Sequence, residues 1–148
     1  MTRAEFVQML TVLFDLKDST ATTTFTDVES GAWYANAIAS AQKAGLVQGK
    51  DDGSFGVNDQ ISREDMAVLI YRVSKMQGSG TFKTSVAIDK SSTFFDIEQS
   101  SVYAREAVNA LLQAGIMNGM NNGYFEPKSS STRAQAAAVL YRLYQEMY

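Results

Sequence analysis

Apolar residues recur at intervals of three and four positions in five stretches of the chain, with polar residues between them. The first stretch places Phe6, Met9, Leu10 and Leu13 on one side of a helix. Spacing of this kind is typical of amphipathic α-helices that bury one face. The pattern predicts an all-α fold with five main helices, at about residues 2–16, 32–44, 62–76, 101–114 and 132–147.

Two segments of the chain are copies of one helix–loop–helix pattern. The stretch from Phe25 to Val28 recurs 69 residues later as Phe94 to Ile97, and the stretch from Ala44 to Gly49 recurs 70 residues later. The beginning of the chain matches only the second half of a copy. Because repeats bury their apolar faces on their neighbours, we expect one domain. It spans residues 1–148, with a half repeat at 1–17, whole repeats at 25–76 and 94–148, and connections at 18–24 and 77–93. Residues 82–88, in the second connection, alternate weakly in polarity and predict one short strand.

Composition excludes several classes of function. The 148 residues contain 0 His and 0 Cys, which removes zinc fingers, disulfide frameworks, thiol nucleophiles and Ser/His/Asp triads. A net charge of −3 argues against a nucleic-acid partner. No apolar run approaches the ~20 residues of a membrane span. No secretory signal precedes the first helix, so an exported protein would carry one in a longer chain. We predict no catalytic residue, no metal and no cofactor.

Three of the predicted helices begin with a shared capping motif. A hydroxyl residue is followed three positions later by an acid or an amide, the arrangement of a capping box. The pairs are Thr2 and Glu5, Ser62 and Asp65, and Thr132 and Gln135.

Capping does not explain the arginine at the first position of each of these helices, where the helix dipole disfavours a cation. These residues are Arg3, Arg63 and Arg133. Two interpretations stay open. Each arginine pairs with a carboxylate of a neighbouring unit, such as Asp27 or Asp96, or it forms an anion pocket together with the N–H groups of the helix start.

The order of the motifs resembles the S-layer homology repeat. In the first whole copy these motifs are Phe25 to Val28, Trp33 at the front of a helix, Gly45 to Gly49, Asp52 to Phe55, and Ser62 to Asp65. The resemblance implies a bacterial cell-surface module that binds secondary cell-wall polysaccharide non-covalently, often one with pyruvylated N-acetylmannosamine. It also implies a pseudo-threefold helical bundle with glycan grooves between repeats, in which the first repeat is incomplete.

The resemblance further implies which residues bind the glycan. Arginine offers paired donors to a pyruvate carboxylate, an aromatic ring stacks on the C–H face of a sugar, and glycine allows close approach. The candidates are Arg3, Arg63, Arg133, Trp33, Tyr103, Asp27, Asp96, Gly53 and Gly123.

Three expectations about burial accompany these candidates. We expect Arg63 to be exposed, so that Arg63→Ala weakens binding while the fold stays intact. Trp33 either stacks on sugar or fills the core at the start of its helix. Four phenylalanines are assigned to the core: Phe25, Phe55, Phe95 and Phe125.

Other classes of function have some support in the sequence. A helical scaffold for a protein partner would use the tyrosines Tyr71, Tyr141, Tyr144 and Tyr148. A calcium loop at Lys50 to Gly53 lacks the required acid spacing. Catalysis by Glu64 and Asp65 conflicts with the capping role of Asp65. The expected partner is cell-wall polysaccharide outside the cell, with self-association as a further way to complete the half repeat.

Overall fold

The computed structural model describes residues 1–78, 82 and 94–148, and these residues form five α-helices. The helices are α1 (Arg3–Leu13), α2 (Ala35–Lys43), α3 (Arg63–Met76), α4 (Arg105–Gln113) and α5 (Arg133–Met147). The predicted all-α class and the five helices are confirmed. Helix α4 begins later than expected because Val102–Ala104 form a separate 3-10 turn. The strand predicted at 82–88 lies outside the described residues, apart from Phe82.

The chain divides into two compact units, and the first, Met1–Ile61, is called unit 1. In unit 1, α1 packs on α2. The core is built from fully buried side chains of both helices and of the loop that follows α2: Phe6, Leu10, Ile38, Leu46, Phe55 and Ile61. Backbone pairing between Thr2 and Gln60 closes the unit. Unit 1 therefore joins the second half of one repeat to the first half of the next.

The second compact unit, Ser62–Tyr148, is called unit 2. In unit 2, α3 packs on α4 and on α5. Its core has the same pattern as that of unit 1, with the buried residues Met66, Ile70, Leu111, Leu112, Ile116 and Phe125. The single-domain boundaries and the pseudo-threefold arrangement stay predictions.

The assignment of Phe95 to the core is wrong. Phe95 is 81% exposed and contacts the ring of Tyr124 with a centroid distance of 5.6 Å. Phe94 takes the inward position and packs on Phe125, with ring centroids 6.2 Å apart. Phe95 and Asp96 lie in a turn that leads into the 3-10 helix Ile97–Gln99, and the side chain of Phe95 is directed to solvent at this turn. Phe94 is thus the counterpart of Phe25, which packs on Phe55 at 5.5 Å.

The predicted capping boxes form at two of the three helix starts. Thr2 and Glu5 make both bonds at α1, and Thr132 and Gln135 make both at α5. At α3, the Ser62 hydroxyl accepts from the N–H of Asp65, 3.1 Å away.

Candidate functional site

In unit 1, the loop that leads to Phe55 is held by an aspartate and an arginine. The Asp27 carboxylate accepts from the N–H groups of Phe55, Gly56 and Val57 at 2.6, 2.8 and 3.0 Å. The Arg3 guanidinium lies 4.9 Å from the centroid of the Phe55 ring, and its Nε donates to the Phe55 carbonyl at 3.2 Å. Burial raises the pKa of Asp27, but the backbone donors outweigh it and hold the pKa below its ordinary value.

Unit 2 contains the equivalent arrangement. The Asp96 carboxylate accepts from the N–H groups of Phe125 and Glu126, both at 2.7 Å. Arg63 lies 4.7 Å from the centroid of the Phe125 ring. Its Nε donates to the Phe125 carbonyl at 2.8 Å, and its Nη2 donates to the Asn118 carbonyl at 2.7 Å.

The expectation that Arg63 is exposed is wrong, since only 4% of the residue is accessible. The loop from Asn118 to Phe125 covers the guanidinium, and burial lowers its pKa from the ordinary value. Arg3 is half-buried, and Arg133 is exposed at the first position of α5. The same motif therefore places its arginine in three different environments.

Two candidate glycines shape these loops. Gly53 and Gly123 have φ angles of +83° and +82°, in the left-handed region that glycine adopts without strain. The Gly53 carbonyl accepts from the N–H of Thr26 at 3.1 Å, and the Gly123 carbonyl accepts from the N–H of Phe95 at 3.2 Å. Each glycine thus ties its loop to the segment that carries Asp27 or Asp96.

Two aromatic side chains are exposed just before α2 and α4. Trp33 is 60% exposed and Tyr103 is 61% exposed, so Trp33 does not fill the core. The Trp33 ring makes an edge contact with Tyr34 at 5.2 Å. The Tyr103 hydroxyl donates to the Asp65 carboxylate at 2.7 Å, which brings the ring to the start of α3. Burial, followed by this carboxylate, raises the pKa of the Tyr103 hydroxyl.

Comparison with known families decides what the repeated pattern is. The model of the S-layer homology domain matches residues 24–67 and 93–137. The chain belongs to the S-layer homology family. Domains of this family occur in S-layer proteins and in cell-surface enzymes, and they anchor proteins to the cell wall. The S-layer homology domain is itself a non-catalytic module.

Several curated relatives contain a similar segment. An amylopullulanase of Thermoanaerobacterium thermosulfurigenes is 40% identical over 146 residues, which cover 99% of this chain and 8% of that protein. The exoglucanase XynX of Acetivibrio thermocellus is 37% identical over 146 residues, covering 99% and 13%. An S-layer protein of Bacillus thuringiensis subsp. finitimus is 33% identical over 141 residues, covering 95% and 16%. The S-layer homology module thus spans less than a fifth of the length of each of these relatives.

Sequence reasoning missed one set of polar residues, which lies at the start of α3. Glu64 is 3% exposed, and its carboxylate accepts from the Ser101 N–H at 2.8 Å and from the Ser101 hydroxyl at 2.9 Å. Lys128 forms an ion pair with the same carboxylate. Burial raises the pKa of Glu64, but these donors hold it below the ordinary value. The sequence did contain one signal for this set: Glu64 is an acid at the second position of α3, where α1 carries Ala4.

The loop considered for calcium binds its own backbone and side chains. In the loop considered for calcium, the Asp52 carboxylate accepts from both the N–H and the hydroxyl of Ser54. Among the described residues there is no cluster of three or more acidic side chains that would hold a metal ion. Within that same part of the chain, every helix is too short or too polar to cross a membrane.

Proposed function

We propose that this S-layer homology module anchors the protein that carries it by binding an anionic polysaccharide of the bacterial cell wall. The expected sugar carries a carboxylate, such as a pyruvate ketal on N-acetylmannosamine. The observation that carries the proposal is the exposure of Trp33 and Tyr103, which occupy equivalent places in the two repeats. An exposed aromatic ring can stack on the C–H face of a sugar, and stacking would cover apolar surface that is otherwise in contact with water.

The helix starts supply the second part of the proposed interaction. A carboxylate is stabilised near the N-terminus of a helix by the helix dipole. At α1 the N–H groups of Arg3 and Glu5 already donate to the Asp59 carbonyl and the Thr2 hydroxyl, so the dipole and the arginine charge are what this helix start offers. Arg3 is half-buried and adds a fixed positive charge beside that end of α1. In this proposal, the candidates Asp27, Asp96, Gly53 and Gly123 act by holding the loops in place.

The location and the attached domains are also part of the proposal. A module that binds wall polysaccharide works outside the cell, at the bacterial surface. The relatives carry names as different as amylopullulanase and S-layer protein. We infer that the module binds the wall in the same way whatever domains are attached to it. Any enzymatic or structural activity of the whole protein then belongs to its other segments.

Sedimentation with purified bacterial wall sacculi tests the proposal. Trp33→Ala should weaken binding roughly threefold to tenfold, which corresponds to about 0.7–1.4 kcal/mol of stacking. Tyr141→Ala is the matched control, because Tyr141 is 63% exposed on α5 and has no part in the proposed site. Sacculi stripped of pyruvate by mild acid should bind the wild type weakly. Equal sedimentation of the wild type and Trp33→Ala, with unchanged melting temperatures, contradicts the proposal.

A protein-binding role is the second candidate, and a specific surface favours it. Tyr141 and Tyr144 on α5 and Tyr148 directly after it are 63%, 45% and 70% exposed and are spaced three and four positions apart. Exposed tyrosines are common at protein interfaces. Tyr71, also considered for this role, instead donates to Glu106 at 2.6 Å. If Tyr141→Ala abolishes retention at the cell surface while Trp33→Ala does not, the protein-binding role replaces the first proposal.

A further inference from the structure

Two asparagines of unit 2 are each followed directly by a glycine, Asn118 by Gly119 and Asn122 by Gly123. Every other asparagine of the chain precedes a residue with a side chain, which hinders attack of the next backbone nitrogen on the asparagine carboxamide. Before a glycine this intramolecular attack meets the least steric hindrance. Because both sites share this sequence feature, a difference in reactivity between them has to come from the fold.

The fold leaves the Asn122 carboxamide exposed and oriented toward the following backbone. Its Oδ1 accepts from the N–H of Tyr124, two positions later, at 3.1 Å. Attack by the Gly123 nitrogen on the carboxamide carbon places negative charge on this same oxygen, and a backbone N–H directed at it stabilises that charge. The Gly123 N–H donates to the Met120 carbonyl at 3.3 Å, a long hydrogen bond that has to open before the nitrogen reacts.

The fold restrains Asn118 more strongly. The Asn118 carbonyl accepts from Nη2 of the buried Arg63 at 2.7 Å. With its amide oriented to suit its neighbours, the Asn118 side chain also accepts from Arg142 at 3.2 Å. Gly119 packs so closely on the Phe94 ring that a Cβ at this position would overlap the ring. Ring closure at Asn118 requires the peptide to rotate against all of these contacts.

Unit 1 carries an aspartate at the position that is equivalent to Asn122. The pair Asp52 and Gly53 corresponds to Asn122 and Gly123. The Asp52 carboxylate accepts from the N–H of Ser54 at 2.9 Å, the same type of bond that Asn122 makes. The two glycines have φ angles of +83° and +82°. An aspartate at position 122 therefore fits the loop of unit 2.

We infer that Asn122 is a site of spontaneous deamidation in the folded protein. The Gly123 nitrogen bonds to the Asn122 carboxamide carbon and gives up its proton to water, and ammonia leaves, so that a cyclic succinimide forms. Water then adds to one of the two ring carbonyls and opens the ring. Cleavage at the side-chain carbonyl gives aspartate, and cleavage at the backbone carbonyl gives isoaspartate. Either product replaces the neutral amide with a carboxylate.

The isoaspartate product does not fit this loop, because its backbone contains one additional methylene group before Gly123. The Gly123 carbonyl accepts from the Phe95 N–H at 3.2 Å and so ties the loop to the segment that carries Asp96. The same loop covers Arg63, whose Nε donates to the Phe125 carbonyl at 2.8 Å. Isoaspartate therefore loosens the loop over Arg63, whereas aspartate leaves it in place.

Incubation of the full chain in mildly alkaline buffer made with heavy-oxygen water tests the inference by peptide mapping. Asn122 should incorporate the heavy oxygen roughly tenfold faster than Asn118, the ratio that about 1.4 kcal/mol of additional restraint produces. In denaturant the two sites should react at similar rates, because the fold no longer distinguishes them. Asn122→Gln is the matched control, since glutamine would have to form a six-membered ring and reacts far more slowly. Its Asn118 should react as in the wild type.

Three results overturn the inference. They are equal rates at Asn118 and Asn122 in the folded chain, an Asn122 that stays intact, and a selectivity that persists unchanged in denaturant. The last result would mean that the neighbouring sequence, and not the fold, selects Asn122.

The effect on the loop has its own test. The isoaspartate product, separated by chromatography, should show faster hydrogen exchange at the Phe95 N–H than Asn122→Asp, which carries the same charge. Equal exchange in the two proteins contradicts the effect on the loop, and an Asn122→Asp that unfolds contradicts the fit of aspartate. None of these outcomes depends on the proposed wall binding.

Discussion

Arg3 in unit 1 and Arg63 in unit 2 begin equivalent helices, yet they lie in different environments. Both lie over a loop phenylalanine at nearly the same distance, 4.9 and 4.7 Å from the ring centroid. Arg63 is 4% exposed and donates to two carbonyl groups of its loop, whereas Arg3 is half-buried. The difference therefore comes from the neighbours of each arginine rather than from the motif.

The neighbours are larger and more polar in unit 2. At the start of α3, Glu64 contacts Ser101 and Lys128, whereas the aligned positions of unit 1 carry Ala4, Gly31 and Asn58. A repeat can thus keep its motif while one copy becomes part of the interior and the other stays open to solvent. This comparison shows that copies of a binding motif must be assigned a role one at a time.

The largest expected effect tests whether Arg63 is structural. Arg63→Ala removes two charge-assisted hydrogen bonds and leaves the buried Phe125 carbonyl without this donor, so unit 2 should lose roughly 2–4 kcal/mol of stability. Native-state hydrogen exchange measures this unit by unit. Arg63→Lys should recover only part of the loss, because lysine lacks the planar pair of donors.

The equivalent substitutions sharpen the comparison. Arg3→Ala should destabilise unit 1 by less, since Arg3 is half-buried, and Arg133→Ala should change stability by at most about 0.5 kcal/mol because Arg133 is exposed. Equal losses for Arg3→Ala and Arg63→Ala would contradict the structural difference between the units.

The next effect concerns the loop phenylalanines of unit 2. Phe94→Ala should cost about 2 kcal/mol, below the value for a fully buried phenylalanine because Phe94 is half-buried. Phe95→Ala should be nearly neutral, since Phe95 is 81% exposed. Thermal unfolding of the two variants measures the contrast. A larger loss for Phe95→Ala than for Phe94→Ala would restore the original assignment of Phe95 to the core.

The sequence was sufficient for features that depend on local interactions. Apolar spacing located all five helices, and the capping motif located the first residue of α1, α3 and α5. Gly45, which directly follows the C-cap residue of α2, has a φ of +74°, as a left-handed helix end requires. These features depend on residues within a few positions of one another.

Features that depend on distant residues were not predictable. The burial of Arg63 requires the loop from Asn118 to Phe125, more than 50 residues away in the chain. The buried Glu64 requires Ser101 and Lys128. No local pattern brings these residues together, so the sequence motif placed Arg63 at an exposed helix start and gave Glu64 no role.

A smaller effect concerns Asp27 and acid. The pKa of Asp27 in the folded chain lies below its value in the unfolded chain, so its contribution is complete above the unfolded value of about 3.9 and is lost as the pH falls through the folded value. Asp27→Asn should destabilise unit 1 by about 1–2 kcal/mol at pH 7, because the amide oxygen cannot serve three N–H donors as well as a carboxylate.

The pH dependence separates this effect from a general loss of packing. The stability difference between the wild type and Asp27→Asn should shrink below about pH 4, where the wild-type carboxyl becomes protonated. Hydrogen exchange of unit 1 between pH 6 and pH 2.5 measures it. A difference that stays constant over this range would show that the charge of Asp27 does not contribute.

The smallest effect tests whether Tyr103 and Asp65 are coupled. In unit 1 the position of Tyr103 is occupied by Trp33, which has no hydroxyl group. Tyr103→Phe removes the hydroxyl that donates to Asp65 at 2.7 Å and keeps the exposed ring. Because the pair is partly exposed, we expect a coupling of about 0.5–1 kcal/mol in a double-mutant cycle with Asp65→Ala. Wall binding by Tyr103→Phe should stay close to wild type if the ring acts by stacking. A cycle with zero coupling would mean that the hydrogen bond to Asp65 does not hold the Tyr103 ring in place.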